Sequence, residues 1–74
     1  MKISYDKSVD ALYIRLVDGP QECRTVQLTD EISLNIGPGE LLVGIEVLDA
    51  SEILNHGQLP ELIVENLPTQ LLAA

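Results

Sequence analysis

Three side chains in this sequence have types that could act together: Tyr13, Arg15 and Glu46. An arginine can hold a carboxylate or phosphate through paired N–H donors, and a neighbouring glutamate can accept a proton. Strand parity places Tyr13 and Arg15 opposite Leu12, Ile14 and Leu16. The same parity places Glu46, with Gly44 and Leu48, opposite Val43, Ile45 and Val47. If these two strands are neighbours, the three groups meet on the face turned away from the main core. The plain alternative is a cross-strand Arg15–Glu46 ion pair, worth about 0.2–1 kcal/mol. Val17, Tyr13, Leu42 and Leu48 are expected to make this second face partly apolar, which suits a ligand or subunit contact better than open water.

Other reactive side chains have simpler readings. Asp6 and Asp10 flank a turn, but a calcium loop needs more oxygen ligands, a sixth-position Gly and a closing Glu. Both are expected to bond turn amides instead. Asp30, Glu31 and Glu40 sit at hairpin ends, where acids are commonplace. His56 has no His, Cys or carboxylate partners at ligand spacing, and beside a helix C-terminus it complements the dipole. Cys23 lacks a base, and Arg24 should point to the opposite face of the strand. None of Ser4, Ser8, Ser33 and Ser51 lies in a G-x-S-x-G elbow. Gly37-Pro38-Gly39 joins two strands and lacks the Lys, Ser or Thr of a phosphate loop. No catalytic residue, metal or cofactor is indicated.

The elements that must position these groups follow from hydrophobic period. Lys2 to Tyr5 alternates as a first strand, and Asp6-Lys7-Ser8 forms a turn. Ala11 to Val17 is a second strand, ended by Asp18-Gly19-Pro20. A third runs from Arg24 to Leu28. Ile32, Leu34 and Ile36 alternate strictly with Glu31, Ser33 and Asn35, the pattern of an antiparallel sheet with one dry face. Gly37-Pro38-Gly39-Glu40 is a hairpin loop with two glycines able to take positive φ, and Leu42 to Leu48 returns. Asp49 is expected to cap a two-turn helix, with Glu52 completing a capping box and Gly57 ending it. Ala50, Ile53 and Leu54 form its apolar stripe. Beyond Gln58, Leu59, Leu62, Ile63 and Leu67 fit a helical stripe, while Leu62-Ile63-Val64 also fits an edge strand. Leu71 and Leu72 keep the tail aliphatic to its end, so it is expected to pack on its own domain or on a neighbouring subunit.

The 74 residues allow one domain. A chain this short buries only about 60% of its unfolded surface, so such domains usually need a staple. Cys23 is the sole cysteine, so no intrachain disulfide is available; a partner subunit is the expected staple. The lone thiol and a start resembling folded protein fit a reducing cytoplasm, and no apolar run approaches a membrane span. Four basic and twelve acidic residues give a net charge of −8. That charge repels nucleic-acid phosphates and favours a basic protein partner.

The stretch Tyr5-Asp6-Lys7-Ser8-Val9-Asp10-Ala11-Leu12-Tyr13-Ile14-Arg15-Leu16 resembles the opening of the domain of unknown function 2283 family. Val43-Gly44-Ile45-Glu46-Val47-Leu48-Asp49-Ala50-Ser51 is similar to its second motif. The resemblance covers about residues 1 to 55 and leaves the tail outside. It implies a small bacterial protein with no established activity, and loosely an antitoxin-type role beside toxin-like genes. The motif positions are Asp6, Asp10, Tyr13, Arg15, Glu46 and Asp49.

The sequence therefore predicts an α+β fold: an antiparallel β-meander of four to five strands, with one short helix (about residues 49–56) packed on one face. Residues 1–57 form the domain and 58–74 a C-terminal tail. The leading functional expectation is a non-enzymatic protein-interaction or regulatory module, acting as a homo-oligomer or with a protein partner. The alternatives are a small-ligand or enzymatic site at Tyr13, Arg15 and Glu46, or an antitoxin-like partner of a basic toxin.

Overall fold

The computed structural model describes residues 1–19 and 22–68. Pro20, Leu71 and Leu72 lie outside the described residues. The elements are β1 (Lys2–Asp6), β2 (Ala11–Arg15), β3 (Arg24–Gln27), β4 (Ile32–Gly37), β5 (Leu41–Val47) and α1 (Ala50–Asn55). All the strands join one antiparallel sheet in the order β1-β2-β5-β4-β3. Short loops make β1–β2 a hairpin and β3–β4–β5 a meander. β3 stands at the opposite edge from β1, and β2 pairs with β5. The predicted antiparallel sheet with one short helix is the observed fold. No helix among the described residues is long and apolar enough to cross a membrane.

Register assigns the faces, because directly opposed residues share one side of an antiparallel sheet. Leu12↔Val47, Ile14↔Ile45 and Leu34↔Ile45 lie on the apolar face. Tyr13↔Glu46, Arg15↔Gly44, Ser33↔Glu46 and Asn35↔Gly44 lie on the polar face. The register shifts between Asn35 and Ile36, where Ile36 pairs with Leu42. Val43 is the additional residue of this bulge. Leu42 is thereby set opposite Ile36, so strict parity misassigns it to the polar face.

The β4–β5 loop differs from its expected geometry in one respect. Gly37 is extended at φ −91°, and the two positive-φ residues are Gly39 (73°) and Glu40 (61°). Glu40 accepts an ion-paired hydrogen bond from Arg24 Nη2 at 2.6 Å. Both side chains are mostly exposed, so this pair adds little stability.

Helix α1 is capped from a distance. Asp49 occupies the N-cap position but is left-handed at φ 54°, and its side chain makes no cap bond. A capping side chain works from extended backbone and reaches the second or third helical amide; the left-handed turn at Asp49 removes that geometry. Asp10 replaces it. Its backbone carbonyl accepts from Ala50 N at 2.8 Å, and its carboxylate accepts from Ser51 N at 3.1 and 3.2 Å and from Ser51 Oγ at 2.7 Å. At the other end His56 (φ 52°) and Gly57 (φ 103°) turn the chain, their N–H groups donating to Glu52 O and Ser51 O.

The core is thin. Val43, Val47 and Ala50 are the buried apolar residues among those described. Leu12, Ile14, Leu34, Ile36 and Ile45 are only half-buried. Of the predicted helical stripe Ala50 is fully enclosed, while Ile53 and Leu54 stay exposed. From 58 to 68 the chain carries no helix or strand.

Candidate functional site

On the polar face, β2, β5 and β4 bring Tyr13, Arg15, Gly44, Glu46, Ser33 and Asn35 side by side. Gly44 is the reason Tyr13 can reach across β5. A methyl group at Gly44 would overlap the Tyr13 phenol, so the ring lies over bare backbone. The phenol oxygen accepts a hydrogen bond from Asn35 Nδ2 at 2.9 Å, and Thr25 Oγ1 stands 3.5 Å from Asn35 Oδ1. The result is a chain of side-chain bonds across four strands.

Arg15 does not pair with Glu46. Its Nε donates to Val17 O at 2.9 Å and its Nη2 donates to Gly19 O. The guanidinium thus holds the chain where it leaves β2. This local bond to carbonyls two and four residues on competes directly with the cross-strand pair. The Glu46 side chain, half-buried between Tyr13 and Ser33 in register, has no hydrogen-bond or ion-pair partner among the described residues. The topology therefore brings Tyr13, Arg15 and Glu46 to one face but does not bond them to one another.

Asp10 gathers hydrogen bonds from both the first hairpin and the helix. Besides capping α1 it accepts from Tyr5 Oη at 2.6 Å. The Tyr5 phenol, then Ser51, hold its carboxyl below the usual range, and the same bond raises the Tyr5 phenol above its ordinary value. Asp6 accepts from Ser8 N at 3.0 Å and Ser8 Oγ at 2.6 Å, which lowers its pKa and closes the β1–β2 turn. Asp6 and Asp10 thus serve the hairpin and the helix, and Asp49 supplies a backbone turn.

Tyr5, Thr25, Asn35, Gly44 and Ser51 are participants that sequence reasoning did not single out. Asn35 and Gly44 fall on the polar face by alternation, but nothing in the sequence tells that Tyr13 bridges them. Among the described residues no group of three His, Cys, Asp or Glu is placed to hold a metal ion. Cys23 is exposed.

The opposite, apolar face carries a cleft of about 180 Å³. Ile3, Leu12 and Ile14 form its sheet wall, and Leu54, Leu59, Pro60, Glu61 and Leu62 form the other side. The tail therefore lies along the β1–β2 half of the sheet.

A two-faced antiparallel sheet, a hairpin joined to a meander with one terminal helix locked to the first turn, defines a small α+β domain. Residues 2–51 match the family described as Protein of unknown function (DUF2283), and the chain belongs to that family. The match spans every element of the sheet and the start of α1. No curated protein and no solved structure matches the chain.

Proposed function

We propose that this protein is a non-enzymatic interaction module whose apolar sheet face and tail are covered by another polypeptide, in the first instance a second copy. The observation that carries this reading is the incomplete core. Among the described residues three apolar ones are buried, whereas Leu62, Ile63 and Val64 are 68%, 65% and 58% exposed beside a half-covered sheet face. An apolar surface of this kind is what protein interfaces bury. The polar face supports the reading by contrast. Arg15 is engaged by two backbone carbonyls and Tyr13 by Asn35, so a ligand at Tyr13, Arg15 and Glu46 would have to displace bonds that hold the sheet.

Light scattering together with thermal melts over a hundredfold range of concentration tests the proposal. Association linked to folding raises Tm with concentration, so an oligomeric mass and a rising Tm are expected. A monomeric mass with a concentration-independent Tm would overturn it. The charge of −8 favours a second reading, an acidic partner of a basic, toxin-like protein. Co-purification with a basic protein of similar size would support that reading.

A further inference from the structure

We infer that the β1 edge is a self-complementary seam, where a second copy adds its own β1 antiparallel about Ser4. This goes beyond the proposal above and rests only on its claim of self-association, because the seam joins two copies edge to edge and does not itself cover the apolar face. β1 ends the sheet, with β2 on one side and no strand on the other among the described residues. An unpaired edge offers a row of N–H and C=O groups to an incoming strand.

The sequence of β1, Lys2-Ile3-Ser4-Tyr5-Asp6, is matched to its own reverse. Antiparallel pairing centred on Ser4 sets Lys2 opposite Asp6 of the second copy, and Asp6 opposite its Lys2. Ile3 then meets Tyr5, and Ser4 meets Ser4. Opposed residues share a face, so both charge pairs fall on the polar side and both Ile–Tyr pairs on the apolar side. Ile3 and Tyr5 are 47% and 38% exposed in a single chain, and Ile3 walls the apolar cleft. The seam therefore continues the apolar face from one copy into the next.

Charge singles out this edge. Residues 1–15 hold Lys2, Lys7 and Arg15 against Asp6 and Asp10, whereas the rest of the chain has Arg24 alone against the other acids. Two copies that repel elsewhere can approach here. Lys2 stands beside Arg15 in register and has no ion-pair partner among the described residues; Asp6 of the second copy would provide one. The opposite edge, β3, lacks this symmetry. Pairing about Thr25 would set Arg24 against Val26, and Arg24 is already bonded to Glu40.

Cysteine placement tests the register in full-length protein carrying Cys23→Ser. Opposed residues lie about 4.5–5.5 Å apart between Cα atoms, within disulfide range. Ser4→Cys should therefore yield a disulfide-linked dimer as its main oxidation product. Lys2→Cys is the control on the same face and strand. Its two copies would stand about 13 Å apart along the strands and should remain unlinked. Light scattering on the reduced proteins supplies the mass. An oligomer that links through Ser4→Cys and not Lys2→Cys supports the seam. An oligomer in which the two variants link equally, or neither does, overturns the seam and leaves self-association standing. A monomer overturns both.

Discussion

On one side of the sheet Tyr13 crosses Gly44 to reach Asn35, whereas on the other Ile14, Leu34 and Ile45 remain half-covered beside a helix that encloses only Ala50. The same strands supply both surfaces, yet the polar one is bridged by its own side chains from Tyr13 to Asn35 and the apolar one is only half-covered. Hydrogen bonds are short-ranged and directional, so a glycine and one well-placed amide suffice to tie three strands. Apolar cover needs area, and a six-residue helix supplies little of it. The polar surface thus contributes specificity of register, and the apolar surface is left half-covered within the single chain.

The contrast breaks most severely at the thin core. Val43 is 1% exposed, and Val43→Asp would bury a charge without a partner at a cost of several kcal/mol. No folded protein is expected by circular dichroism; a cooperative melt near that of the parent would show that the apolar face tolerates water. A smaller effect is expected at Asp10. Its carboxyl lies below the ordinary range because Tyr5 and Ser51 donate to the charged form. Its contribution is therefore present above the ordinary carboxylate pKa and lost as pH falls through the lower folded value. Asp10→Asn should lower Tm by several degrees at neutral pH and flatten the acid limb of the Tm profile. An unchanged acid limb would show that the cap does not couple hairpin to helix.

The smallest effect sharpens the comparison on the polar side. Gly44→Ala should displace the Tyr13 ring, break its bond with Asn35 and cost about 1 kcal/mol. In a Tyr13→Ala background the same change should cost almost nothing, a coupling that a double-mutant cycle of urea melts measures. Equal costs in both backgrounds would place the penalty in the β5 backbone instead.

Much of this arrangement was legible in the sequence, and the parts that were not share a cause. Period-two alternation located the strands and set Tyr13, Arg15 and Glu46 on one face, because side-chain direction is a local property of extended chain. Residues 49–57 announced a helix and its stop for similarly local reasons. Capping by Asp49 failed because the cap is supplied by Asp10, whose relation to Ser51 exists only after the sheet has formed. Strict parity sets Leu42 on the polar face, but a bulge interrupts that parity without marking itself in residue type. Arg15 found partners two and four residues away, nearer than the glutamate expected across the strands.

The order of the strands has a consequence for the time course of folding. The β1–β2 hairpin and the β3–β4–β5 meander each join neighbours in sequence, but Leu12 meets Val47 and Asp10 meets Ser51 only across about half of the 74-residue chain. Loop-closure entropy must be met before those distant contacts yield anything. The two halves are then the early units and the β2–β5 junction the late one. Gly44, at that junction, governs how long the finished protein stays closed more than how quickly it first forms.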